Sequence, residues 1–292
     1  MIKNRKGEIA HTNVKQNQIL KKLYCTSDGR RILKVLTNPV ISKIAGDFMN
    51  SSFSKPLIHS FIKNNHIDTS QYVMYDFRSY NDFFTRAVKL SKRPIDYSLS
   101  HLISPCDSKL TVYEIDNRSI FRIKGSRYRI SDLLKNDFLA GRFIGGYCMI
   151  FRLEVDDYHR YCYIDSGTKT NNVFIKGELH TVNPIALQRY NIYKRNSREY
   201  TLLHTNNFGD VVQCEVGAMM VGRIRNHHNE YKFRKGEEKG FFEFGGSTIV
   251  LLFERGAVIP DRDIMKNSNE GYETIVKYGE KIGIARKTRT LN

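Results

Sequence analysis

No apolar run in this 292-residue sequence approaches the length of about 18 residues that a membrane-spanning helix requires. The opening segment, Met1-Ile2-Lys3-Asn4-Arg5-Lys6, is polar where a secretory leader would be apolar. Cysteine is sparse and odd in number: five residues, scattered, none in a C-x-x-C pair. That argues against a disulfide framework and fits reduced thiols in a cytosolic protein. His159-x-x-Cys162 has the spacing of half a zinc site, yet no second pair accompanies it, so no metal is expected. Acidic residues are few beside basic ones, 30 against 47, for a net charge of +17. Such an excess attracts polyanions, either nucleic acid or an anionic lipid surface. An AT-rich genome, which inflates Lys, Asn and Ile, would produce part of the same excess. No nucleic-acid motif accompanies the charge, so nucleic acid is not an expected partner.

What is present describes a folded protein, 40% hydrophobic and 26% charged. Residues 1 to about 66 read as helical and basic. Ile41, Ile44, Ala45, Phe48 and Met49 fall at the spacing of one amphipathic helix face, and Leu57, Ile58, Phe61 and Ile62 repeat it after Pro56. Ile19, Leu20 and Leu23 suggest a further helix among Lys15, Lys21 and Lys22. From about residue 100 the pattern changes to strands. Phe121 and Ile123, then Tyr128 and Ile130 past Gly125-Ser126, predict a hairpin, with a short helix from Ser131. Residues 148–151, 173–175, 211–212, 216–224 and 248–253 are further strand candidates. The fold class is α+β: a helical, basic region over 1–70, then a β-rich core over 71–292.

Within that core, Phe244-Gly245-Gly246-Ser247-Thr248 leads directly into Ile249-Val250-Leu251-Leu252-Phe253. Glycine tolerates backbone geometries that other residues resist, so a neighbouring hydroxyl can approach its carbonyl. Ser247 Oγ could therefore reach the Gly246 carbonyl and cut the backbone. The plainer reading is a tight turn feeding a strand.

Other segments bear on that choice. Asn81-Asp82-Phe83-Phe84-Thr85-Arg86 with Arg93-Pro94 looks like the FFTR…RP signature of phosphatidylserine decarboxylases. Ser104-Pro105-Cys106-Asp107-Ser108 resembles the family's SP-x-DG loop, with Ser108 where glycine is usual. Asp157-Tyr158-His159-Arg160 resembles DYHR, and residues 181–187 resemble SVNP. Glu215 to Ala218 with Val221-Gly222 resembles EVGA-x-x-VG, and residues 235–248 are similar to KG-x-E-x-G-x-F-x-x-GST. Six motifs in family order, over about residues 80 to 256, mark a resemblance to the shorter bacterial type.

The resemblance implies a pyruvoyl-dependent carboxy-lyase. Self-cleavage between Gly246 and Ser247 would give a β chain of residues 1–246 and an α chain of 247–292, whose first residue becomes the pyruvoyl cofactor. Phosphatidylserine would join that group as a Schiff base, lose CO₂ and leave as phosphatidylethanolamine. The implied setting is peripheral, on the anionic cytoplasmic face of the cell membrane. A homodimer stays open.

The family attributes self-cleavage to an Asp–His–Ser triad. Asp107 matches the aspartate and Ser247 the nucleophile. Family members read DYHR-x-H, whereas this chain has Cys162 at the second histidine, the one linked to cleavage. His159 matches the first, linked to decarboxylation. Three readings stay open. His159 serves both steps, as an imidazole titrating near neutrality can. Alternatively, Cys162 acts as base, which needs a positive environment to lower a thiol pKa of about 8.5. In the third, the chain matures slowly or not at all and is a lipid-binding homologue. Tyr158 and Arg160 are candidates for binding headgroup or phosphate, with packing an equal reading for the tyrosine. His180 and His204 are candidates to line the substrate pocket, although each also reads as an ordinary partly buried histidine. His227-His228 reads as an exposed loop. Asp156 and Asp157 would point to opposite faces of a strand, which speaks against a carboxylate pair.

Overall fold

The computed structural model describes residues 1–10, 26, 28–29, 31, 39–118, 120–123, 126–177, 196–217, 223–244 and 247–286. A continuous apolar run following glycine is the pattern of a strand covered on both faces. Ser247–Phe253 is such a strand, buried at every residue. It lies antiparallel between Gly209–Val216 and Tyr147–Leu153, at the centre of an eleven-stranded sheet. On one side the order continues through Arg198–Thr205, Gly167–Lys169 and Tyr231–Phe233, with Val173–Ile175 also on Arg198–Thr205. On the other side come Ser108–Glu114, Glu273–Val276, Ile2–Lys3 and Ile9–Ala10. The architecture is α+β with a β-rich core.

Two smaller sheets pack on this one. Ile224–Asn226, Glu238–Phe242 and Arg160–Cys162 form the first; Val258–Pro260, Lys281–Ala285 and His101–Ile103 form the second. Lys239 of the first reaches across to Glu215 of the central sheet at 2.8 Å, both side chains fully buried. An ion pair out of water must hold its geometry, because either partner left alone would be an unpaired buried charge. The pair therefore fixes the small sheet against the central one.

The opening residues differ from the helical expectation. Residues 2–3 lie parallel on Glu273–Val276, and Arg5 fans onto Asp261, Asp263 and Glu280. That local ion cluster ties the N-terminus to the sheet edge, and no periodicity in the sequence signals it. Pro39–Asn50 and Leu57–Asn64 are helices, as the apolar spacing predicts. Ile58, Phe61 and Ile62 pack on the core, whereas Ile44, Phe48, Phe53 and Leu57 remain exposed. The hairpin forms as Ile120–Ile123 and Ser126–Arg129, and the short helix as Ile130–Leu134 with Leu133 and Leu134 buried. The run read as one strand over 216–224 divides: Val216 ends one strand and Ile224 begins another. The helix read at Ile19 to Leu23 lies outside the described residues.

Candidate functional site

Sheet register brings the separated motifs to one end of the sheet. Ser247 pairs with Leu153, and Thr248 pairs with both Arg152 and Val216. Arg152 in turn faces Lys109, so the start of the Ser108–Glu114 strand, with Asp107 just before it, lies level with Ser247. Past Leu153 the chain turns sharply instead of extending. Asp157 N–H donates to Glu154 O at 3.0 Å, and Glu154 N–H donates to Asp157 Oδ2 at 2.7 Å. Lys109 Nζ holds the same Asp157 oxygen at 2.6 Å and Glu154 at 3.3 Å. Asp156 and Asp157 thus sit in a turn, not a strand. The turn delivers His159 to the interior beside the sheet end that carries Ser247.

His159 is fixed on several sides. Its Nδ1 lies 2.9 Å from the Asp157 carbonyl, which can only accept, so Nδ1 carries the proton. In the neutral ring Nε2 is then the basic nitrogen. The Phe84 ring lies 4.2 Å from the imidazole, and Phe242 N–H donates to His159 O at 3.0 Å. Phe84 belongs to Tyr80–Phe84, a helix capped by Ser79 Oγ accepting from Asp82 N–H. The same helix grips the segment leading to Ser247. Asn81 Oδ1 accepts from Phe244 N–H at 2.9 Å, and Tyr80 and Phe84 stack edge-on against Phe244 at 5.0 and 5.5 Å. One short helix thereby positions both the imidazole and the segment leading to Ser247.

Ser247 is buried, and its Oγ has no hydrogen-bond partner among the described residues. Leaving a hydroxyl unsatisfied in the interior costs about 1–3 kcal/mol, so packing alone gives no reason to keep it. The buried Ser108 and Thr248 hydroxyls share that lack, so what sets Ser247 apart is its place at the head of a buried strand, level with the histidine turn.

Asp107 has different neighbours from those a triad requires. Arg93 donates to it from Nε at 2.9 Å and from Nη2 at 2.6 Å, Tyr278 N–H donates at 2.8 Å, and Lys277 Nζ stands at 3.3 Å. Burial pushes this carboxyl up, but the Arg93 hydrogen bonds and the Lys277 and Arg93 charges outweigh it and hold it below the usual aspartate value. Cys162 is close by, its N–H donating to Pro105 O at 2.9 Å. Burial pushes its thiol up to about 12 against the opposing hydrogen bond with Tyr278, so it keeps its proton at neutral pH.

Tyr158 is buried between the rings of Tyr72 and Tyr278 at 6.3 and 5.6 Å, a packing position. Arg160 donates to Thr85 O at 2.7 Å and pairs with Glu238 at 2.9 Å, so it ties the small sheet to the end of the Tyr80–Phe84 helix. His204 is exposed, bonded to Asp210 at 2.7 Å, at the sheet end away from Ser247. His227 and His228 lie in the loop between Ile224–Asn226 and Tyr231–Phe233. His180 and Gly246 lie outside the described residues. Sequence reasoning assigned no role to Arg93, Phe84 or Asn81. All three stand in the FFTR…RP stretch, where the signal was a motif without a stated task. Among the described residues no cluster of three or more His, Cys, Asp or Glu side chains is placed to hold a metal.

The fold and site define an α+β protein built around a buried, strand-borne serine. The family model for phosphatidylserine decarboxylase matches residues 80–284. The chain is 48% identical over 277 residues to phosphatidylserine decarboxylase proenzyme 2 of Clostridium acetobutylicum, covering 94% of this chain and 95% of that protein. It is 44% identical over 271 residues to the phosphatidylserine decarboxylase proenzyme of Clostridium kluyveri, covering 91% and 92%. With that of Clostridium novyi the identity is 41% over 288 residues, covering 96% and 97%. This chain belongs to the phosphatidylserine decarboxylase family.

Proposed function

We propose that this chain converts phosphatidylserine to phosphatidylethanolamine with a pyruvoyl group made from its own Ser247. The observation that carries this reading is the buried Ser247 hydroxyl at the head of the central strand, without a partner among the described residues, in a member of this family. In the first step Ser247 Oγ attacks the Gly246 carbonyl carbon while its proton passes to a base. The peptide C–N bond gives way to a C–O ester, freeing the Ser247 amine. Loss of the Ser247 α-proton then expels residue 246 as a carboxylate. The dehydroalanine left at 247 takes up water and releases ammonia.

His159 is the base in this reading. Its Nδ1–H donates to the Asp157 carbonyl, so in the neutral ring Nε2 carries the basic lone pair, whereas the Cys162 thiol is protonated at neutral pH. Asp107 serves by holding Arg93 and the 277–278 backbone in place. After cleavage the two chains stay together, because Ser247–Phe253 is hydrogen-bonded on both edges. The keto group supplies a conjugated electron sink for loss of CO₂. Buried Tyr80, Phe84 and Phe242, with half-buried Phe244 packed on the first two, give an apolar surround that favours dispersal of a carboxylate charge.

The enzyme acts as a peripheral protein on the anionic cytoplasmic face of the membrane, docked through residues 39–64. Exposed Ile44, Phe48, Phe53 and Leu57 and the net charge of +17 support this. No described helix is long and apolar enough to cross a membrane.

A second reading, a lipid-binding homologue that does not mature, is favoured by one observation: the protonated Cys162 where a cleavage histidine is usual. Release of CO₂ from phosphatidylserine vesicles by purified protein decides between them. Conversion that disappears in Ser247→Ala supports the decarboxylase; vesicle binding without conversion refutes it.

A further inference from the structure

Arg86 follows the Tyr80–Phe84 helix and is 1% exposed. Its Nη1 reaches Phe83 O at 3.3 Å, a long bond, while Nε and Nη2 have no hydrogen-bond partner among the described residues. No carboxylate among the described residues lies within ion-pair distance of it. The guanidinium rests over the rings of Tyr72 and Phe83, with centroids at 4.1 and 4.6 Å. Other buried arginines are compensated: Arg93 by Asp107, Arg152 by Glu154 and Glu273, and Arg198 by the carbonyls of Leu133, Asn196 and Asp132.

An uncompensated buried cation costs several kcal/mol, and ring contacts return about 2 kcal/mol or less. A guanidinium offers donors in a planar fork that matches phosphate or carboxylate. The unfilled donors have the geometry to take such an anion. They lie near the reacting centre. Tyr72, under the guanidinium, packs on Tyr158, the neighbour of His159, and Phe84 at the end of the adjoining helix packs at a tilt on His159 itself. Val73, Met74 and Tyr75, which follow Tyr72, are exposed, and Val73 N–H donates to Ala87 O at 2.8 Å.

We propose that Arg86 receives the phosphodiester of the phospholipid headgroup, an inference that rests on the decarboxylase reading. The substrate carboxylate is the alternative anion, and chemistry disfavours it. Decarboxylation disperses that charge, so an arginine on it would stabilise the ground state more than the transition state. The phosphodiester keeps its charge throughout and is bound equally before and after CO₂ leaves.

The test is calorimetric binding of glycerophosphoserine, glycerophosphoethanolamine, L-serine and inorganic phosphate to the purified chain and to Arg86→Met and Arg86→Lys. The expected result is that the parent binds both diesters. Arg86→Met weakens both by about 10- to 100-fold without lowering the melting temperature, since it removes an unpaired charge, and Arg86→Lys falls between. Loss confined to glycerophosphoserine would assign the arginine to the carboxylate and overturn the proposal. So would unchanged affinity for both diesters, no binding by the parent, or inorganic phosphate bound as tightly as a diester. A variant that melts well below the parent yet keeps both ligands would show a structural arginine, with the same consequence. Release of CO₂ is read separately, so failure of the arginine assignment and failure of the decarboxylase reading are distinguishable.

Discussion

Arg93 clasps Asp107 out of reach of water, its Nη2 2.6 Å from the carboxylate and the two side chains 8% and 1% exposed. The pair joins the end of the FFTR…RP stretch to the SPCDS loop, and the same carboxylate caps the Tyr278 amide. In this chain Asp107 organises a junction of three segments.

Removing one partner of a buried pair leaves the other uncompensated, at a cost of about 3–5 kcal/mol. Arg93→Gln and Asp107→Asn should each destabilise the fold by that order at pH 7. Asp107 is held below its ordinary value, so its contribution is fully present above the unfolded pKa of about 3.9 and is lost as pH falls through the folded value. Denaturant unfolding from pH 7 downward checks this. The gap between wild type and Asp107→Asn should stay constant until about pH 4 and narrow only below it.

Cys162 holds its proton at neutral pH, so its replacement should not abolish self-cleavage. Gel analysis of freshly made Cys162→Ala should show the cut chains, while His159→Gln should remain whole. Cys162→His, which restores the family residue, should process faster than the chain as it stands. An uncut Cys162→Ala beside a cut His159→Gln would reverse the assignment.

Lys239 and Glu215 lock the small sheet, and with it Phe242 and His159, to the strand beside Ser247–Phe253. Lys239→Met alone should cost about 3–5 kcal/mol by stranding a buried carboxylate. Lys239→Met combined with Glu215→Gln should recover most of it. Equilibrium unfolding of the single and double variants gives the coupling directly.

Phe48 and Phe53 face solvent on the N-terminal helical region. Changing both to serine should lower partitioning onto anionic vesicles by about tenfold or more, given about 25 cal/mol per Å² of apolar surface, and leave the melting temperature near that of the parent. Unaltered partitioning would remove this surface from the docking account.

The sequence made the Ser247–Phe253 strand legible because its apolar run is short, β-branched and preceded by Gly245-Gly246. Apolar spacing likewise revealed the helices Pro39–Asn50 and Leu57–Asn64. Tertiary pairings were not legible. Nothing local ties Arg93 to Asp107 or Lys239 to Glu215, since charge partners are chosen by the fold. The turn at residues 154–157 depends on Lys109, which arrives from another strand. Arg86 stood inside a recognised motif, yet its lack of a counter-ion is a property of packing and shows only in three dimensions.

Intact-mass spectrometry of freshly purified protein tests the self-cleavage at Ser247 most directly. The expected result is two chains, residues 1–246 and 247–292, the shorter one blocked by a keto group that a hydrazine reagent labels. A single uncut chain with serine at position 247 and no reactive carbonyl would contradict it.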